Sequence, residues 1–182
     1  MEKPMKLAVI AVWLLIASGL AVAGGPGVTI AGEGKAYARI VVADDASAPE
    51  KYAAGQLAEF LGQVTGAKFE IVAPAKAAKA AVIAVGPGAA KAVAPDLNLD
   101  GLGQEGIVVE TRPACLVLTG GVGAARGTPY AVFTFLEDGV GCRWWTRDAS
   151  FIPHKASLEV GAMKVRYGPP LEYRYPFCTP GL

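Results

Sequence analysis

Ser47-Ala48-Pro49-Glu50, continued through Ala53, Leu57, Phe60, Leu61 and Val64 to Thr65-Gly66, is the stretch on which the fold turns. Ser47 and Glu50 stand at capping-box spacing: the hydroxyl takes an orphan amide of the first turn and the carboxylate reaches back to the serine N–H. Pro49 sits early enough to need no hydrogen-bond donor. The apolar residues recur at three and four positions and so form one stripe, and Gly66 supplies the left-handed residue that ends a helix. Immediately upstream, Tyr37-Ala38-Arg39-Ile40-Val41-Val42-Ala43 is a β-branched run stopped by Asp44-Asp45, and downstream Lys68-Phe69-Glu70-Ile71-Val72 alternates like a strand. A strand–helix–strand unit is predicted here.

Working outward, Val28-Thr29-Ile30 opens an earlier strand, and Ala81-Val82-Ile83-Ala84-Val85 is a short apolar run fit for a buried central strand. Ala89 to Val93 makes a short helix. Gly106-Ile107-Val108-Val109-Glu110 and Cys115-Leu116-Val117-Leu118-Thr119 read as an antiparallel hairpin turned around Arg112-Pro113. A second main helix is predicted with Thr128 as N-cap, Pro129 at its first position and Tyr130, Phe133 and Leu136 on the buried side up to Gly139. Its acidic tail, Glu137-Asp138, is electrostatically poor for a helix C-terminus. Arg143-Trp144-Trp145 and Ser157-Leu158-Glu159-Val160 read as late strands. The order predicts an α/β (α+β) domain with a mixed β-sheet of about five to seven strands and two main helices, with no internal repeat.

At the N-terminus, Lys3 and Lys6 precede an apolar run from Leu7 to Ile16, and Ala21-Val22-Ala23 offers small residues at A-x-A spacing before Gly24-Gly25-Pro26-Gly27. This is the layout of a cleavable signal peptide over 1–23, which places the mature chain in a secreted or periplasmic location with no stable membrane span after cleavage. The alternative, an uncleaved anchor, needs roughly 20 apolar residues, which the run barely reaches. Residues 24–167 then suit one domain, and Gly168-Pro169-Pro170 opens 168–182 as a linker or the start of a further C-terminal domain. The net charge of +1, with basic residues scattered along the chain, gives no footprint for nucleic acid. Cys115, Cys142 and Cys178 are too few for a disulfide scaffold; one disulfide with one thiol over leaves the pair undecided.

Several motifs invite chemistry. Gly120-Gly121-Val122-Gly123-Ala124-Ala125-Arg126-Gly127 lies between a strand and a helix, but Arg126 stands where G-x-G-x-x-G needs its third glycine, and no Gly-Lys-Ser/Thr is present. No cofactor is implied. His154, the only histidine, lacks clustered partners for a metal. Asp44-Asp45 and Glu137-Asp138 are sequence neighbours, which seldom face one another across a cleft as an acid/base pair of carboxyls must. Arg126, Arg143, Trp144 and Trp145 are the residues suited to a sugar: tryptophan faces stack on pyranose rings and arginine forks pair with a carboxylate. Adjacent residues on a strand face opposite ways, so at most one of the two tryptophans meets a given ligand.

The series Ala48-Pro49-Glu50 to Thr65-Gly66-Ala67, Ile83-Ala84-Val85-Gly86, Glu105-Gly106-Ile107-Val108-Val109, Leu118-Thr119-Gly120-Gly121, Arg126-Gly127-Thr128-Pro129-Tyr130 to Phe135-Leu136-Glu137, and Gly139-Val140-Gly141-Cys142-Arg143-Trp144-Trp145 resembles the N-terminal, non-catalytic domain of family 67 α-glucuronidases and their relatives. That domain is similar in shape to the one preceding the barrel in β-hexosaminidases. The resemblance departs at Pro129, usually aliphatic, and at Ala131, usually glycine, which implies altered packing at that helix start. It implies an accessory domain of a polysaccharide-degrading glycoside hydrolase whose catalytic carboxylates belong to a following (β/α)₈ barrel, the expected partner beside a poly- or oligosaccharide. The chain alone is not expected to be catalytic, and the expectation includes its being a fragment. A free-standing secreted carbohydrate-binding or structural module is the competing reading.

Overall fold

The computed structural model describes residues 27–77 and 80–171. The leader, the tail aromatics Tyr173, Tyr175 and Phe177, and Cys178 lie outside the described residues.

The chain forms β1 (Val28–Gly32), β2 (Lys35–Ala36), β3 (Ala38–Val42), α1 (Ala48–Thr65), β4 (Ile71–Val72), β5 (Ala81–Val85), α2 (Pro87–Val93), β6 (Ile107–Arg112), β7 (Cys115–Gly120), α3 (Gly127–Thr134), β8 (Arg143–Trp144), β9 (Ser150–Phe151), β10 (Ser157–Val160) and β11 (Lys164–Tyr167). Six strands make the main sheet in the order β11-β6-β7-β5-β3-β4. Its β7, β5, β3 and β4 run parallel, and the β6–β7 hairpin and β11 add antiparallel pairings. The mixed α/β architecture is the one the element order predicts. α1 begins where the capping box places it: the Ser47 N–H donates to the Glu50 carboxylate at 3.3 Å. It ends at Gly66, in the left-handed region with φ 71, whose N–H donates to the Gly62 carbonyl.

Period-two alternation along the central strands sorts their side chains into two layers. Ile40, Ile83, Val85, Leu116 and Leu118 meet Leu57, Leu61 and Val64 of α1 and Val132, Phe135 and Leu136 of α3 and the turn after it in the larger core. Val41, Val82, Ala84, Cys115 and Val117 point the other way, against Ala89 and Ala90 of α2.

Three expectations are corrected. The strands at 28–30 and 157–160 are not in the main sheet: β1 pairs with β10 and β2 in a separate three-stranded sheet that contributes Ile30, Leu158 and Val160 to the larger core. β8 pairs only with β9. The second main helix starts earlier than expected, with Arg126 rather than Thr128 as its N-cap, and its first helical bond runs from the Tyr130 N–H to the Arg126 carbonyl. The buried pairs Gly127 and Thr128, Ala131 and Val132, and Phe135 and Leu136 define the stripe, so Tyr130 is exposed rather than buried.

Among the described residues, no helix is long and apolar enough to cross a membrane.

Candidate functional site

The glycine-rich loop is a packing device. A Cβ on Gly120 would lie 2.6 Å from the Gly127 Cα, and one on Gly127 would lie 2.5 Å from the Gly106 carbonyl oxygen. The end of β7 and the start of α3 therefore touch backbone to backbone, an approach open only to glycine. Thr128 is consumed by the same junction: its Oγ1 accepts the Gly120 N–H at 3.1 Å, so it ties the helix to the strand instead of capping its own first turn. Ala131 is fully buried, and the close contact falls on Gly120 and Gly127.

Beyond Thr134 the helix continues as a π-helical turn, Phe135–Val140. Gly139 lies against the Phe135 ring, where a Cβ would stand 2.7 Å from Cδ2. Gly141, at φ 96, ends the turn, and the N–H groups of Gly141 and Cys142 both donate to the Leu136 carbonyl. The acidic tail is answered by Arg143, whose Nη1 donates to the carbonyls of Glu137 and Cys142. This puts a cation where the helix dipole favours one.

Trp144 and Trp145 divide as strand alternation requires. Trp144 turns inward, edge-on to Phe60 at 5.1 Å and to Phe133 at 5.5 Å between ring centroids. Trp145 is 67% exposed. Phe151, which the sequence reading did not single out, pairs with Arg143 across the β8–β9 hairpin and is 52% exposed. Arg143, Trp145 and Phe151 therefore share the outward face. The signal that could have found Phe151 is Thr146-Arg147-Asp148, a turn sequence between two aromatic-bearing segments.

Arg126 is elsewhere. Eight α-helical residues and a six-residue π-helical turn separate it from the hairpin, roughly 20 Å at about 1.5 Å per residue. The four residues suited to a sugar do not form one site. Arg126 lines a cleft of about 720 Å³ with Leu102, Gln104, Glu105, Pro169 and Pro170. Its Nη1 pairs with the Glu105 carboxylate at 2.9 Å, and the Gln104 side-chain oxygen accepts the Ala125 N–H at 3.4 Å.

Among the described residues no three His, Cys, Asp or Glu side chains come together as metal ligands, and His154 is exposed. Cys115 and Cys142 are free buried thiols in opposite core layers, so they do not pair with each other. Burial pushes the Cys115 thiol up to about 11, against the pull of the nearby Arg112 guanidinium. A raised folded-state pKa makes its contribution to stability complete below the ordinary thiol value, about 8.5, and lost as pH rises towards 11. Urea midpoints should fall over that window more steeply for the natural chain than for Cys115→Ala. Equal slopes would mean that the thiol ionises as freely folded as unfolded.

No family model matches the chain, and no curated protein matches it. Solved structures with a similar fold include N-acetyl-β-hexosaminidase from Streptomyces plicatus in complex with Thio-NAglucal, at 15% identity and a TM-score of 0.47 over 83% of this chain and 25% of that one. Two mutant forms of Streptomyces plicatus β-hexosaminidase in complex with product, GlcNAc, are similar at 13% and 14% identity, with the same TM-score and coverage. The chain thus spans about a quarter of the length of these structures.

Proposed function

We propose that this chain is the non-catalytic accessory domain of an α-glucuronidase-like glycoside hydrolase, exported by its N-terminal leader and seated against a following catalytic barrel in polysaccharide breakdown. One observation carries the reading: the residues of the motif series are occupied in holding the domain together. Gly120, Gly127 and Thr128 lock α3 to β7, Arg143 closes the π-helical turn, and Trp144 anchors the hairpin on Phe60 and Phe133. A motif spent on packing is inherited with an architecture rather than with a reaction.

The wall on which a barrel would sit is the cleft beside Arg126. Pro169 and Pro170 line it, Leu171 next to them is 62% exposed, and whatever follows in the chain starts from there. A tethered neighbour meets this wall at a high effective concentration. Expressed from Gly24 to Leu182, the chain should bind hydrophobic dyes or self-associate, and attaching the cognate barrel should reverse both. A monodisperse, dye-silent monomer that unfolds cooperatively would reject the accessory reading in favour of a free-standing module.

A further inference from the structure

We infer that Arg166 is a latch between the last strand and the loop that precedes β6: it joins the two walls of the cleft beside Arg126 and sets the direction in which the chain leaves the domain. The latch is a property of this chain alone; that it aims a following barrel rests on the reading proposed above.

Beyond its ladder to β6, β11 is fastened at two points. Lys164, Arg166 and Tyr167 are exposed, and of its four residues only Val165 packs against the larger core. Apolar burial therefore contributes little to keeping the strand in place. At its start the Met163 N–H donates to the Thr111 hydroxyl and the Thr111 N–H to the Met163 carbonyl. Near its end Arg166 donates through Nη1 to the Asn98 carbonyl and through Nη2 to the Asp100 carbonyl. One planar fork on two carbonyls fixes the orientation of strand and loop together, which a point charge does not.

The loop is shaped to offer those carbonyls. The Asp100 N–H donates to the Asn98 side-chain oxygen at 2.6 Å, and Gly101 follows at φ 73. Asp96-Leu97-Asn98-Leu99-Asp100-Gly101 has the opening spacing of a calcium loop. Ile107, however, stands at the twelfth position, where such a loop needs glutamate, and both oxygens of Asp96 are taken by Arg112. The cation that serves this loop is the Arg166 guanidinium.

Both walls of the cleft start from that contact. On one side the loop runs on into Leu102, Gln104 and Glu105, which line the cleft. This wall is bound to the start of α3. A Cβ on Gly106 would lie 2.1 Å from the Leu102 carbonyl oxygen, and one on Gly121 would lie 3.0 Å from that of Gly103. Gln104 and Glu105 are tied in turn to Ala125 and Arg126. On the other side Pro169 and Pro170 follow Arg166 closely in the chain and line the cleft opposite, with φ fixed by their rings. Gly168, with nothing within 4 Å of its Cβ position, is the joint between the latch and the prolines. Releasing Arg166 should free the proline wall while the loop wall stays on α3.

The test is nuclear magnetic resonance on the isotope-labelled chain and on its Arg166→Gln and Arg166→Lys variants. Backbone order parameters at Tyr167 and Gly168 should fall from about 0.85 to below about 0.6 in both variants. The Asp100 amide should exchange roughly tenfold faster, as expected when bonds from a charged donor are lost, and the Gly106 amide, held on the α3 side, should be unchanged. The natural chain should keep its values in high salt, because the acceptors are uncharged carbonyls. Unchanged order at Tyr167 and Gly168, full recovery by lysine, or a natural chain that loosens in high salt would overturn the proposal. So would acceleration spread evenly from Asp100 through Gly106 to β5, since Arg166 would then be an ordinary stabilising contact. Each of these outcomes is independent of whether the natural chain binds dyes or self-associates, the results that test the accessory reading.

Discussion

Gly127→Ala should destabilise the domain by about 3 kcal/mol or more, at or above the top of the usual range for overpacking, and lower its melting temperature by roughly 6–12 °C. The new Cβ would stand 2.5 Å from the Gly106 carbonyl oxygen and 2.7 Å from the Gly120 Cα. Both obstacles are backbone, so no side-chain rotation relieves the clash and α3 must move away from the sheet. That movement strains the bond from the Gly120 N–H to Thr128 and shifts Val132, Phe135 and Leu136 in the larger core. Gly55→Ala is the internal control. A Cβ there meets nothing within 4 Å, and alanine in a helix interior should raise stability by roughly 0.5–1 kcal/mol. Chemical denaturation of the two variants should therefore move the midpoint in opposite directions. A Gly127→Ala chain as stable as the natural one would mean that the strand–helix junction is looser than its geometry.

The neighbouring tryptophans should differ as well. Trp144→Ala removes the ring that bridges α1, α3 and the hairpin, and should cost about 3 kcal/mol, the lower end for large aromatic truncations because the residue is only partly buried. Trp145→Ala should change stability by no more than about 0.5 kcal/mol, as exposed positions do. The hairpin should also loosen in Trp144→Ala alone, visible as faster amide exchange at Trp145 and Thr146, whose N–H groups close the turn. Equal effects of the two substitutions would contradict the assignment of inward and outward faces.

The parts of this fold legible in the sequence are those whose determinants are local. α1 is specified within its own residues: cap, stripe and terminal glycine lie between Ser47 and Gly66 and agree with one another. The β6–β7 hairpin is likewise local. The membership of β1 and β10 in a separate sheet is not, because the pairing Val28 to Val160 spans most of the chain and nothing in either segment encodes its partner. β11 gives little strand signal of its own, because Lys164-Val165-Arg166-Tyr167 carries two charges in four residues. It pairs with β6 through the backbone, aided by the Met163 N–H donating to the Thr111 hydroxyl at 2.7 Å. The start of α3 is not legible locally, because Thr128 has the chemistry of an N-cap, yet its oxygen serves the end of β7. The candidate site was legible as residue types but not as a constellation. Alternation separates Trp144 from Trp145, while the length of α3 and its π-helical extension removes Arg126 from both.

If the motif residues hold a framework and perform no reaction, the chain should release no glucuronic acid from 4-O-methylglucuronoxylan oligosaccharides and cleave no aryl glycoside. Turnover should stay at the protein-free rate, even at high protein concentration and after Gly127→Ala or Trp144→Ala. Turnover that disappears when one Asp or Glu of this chain is replaced by its amide would contradict it.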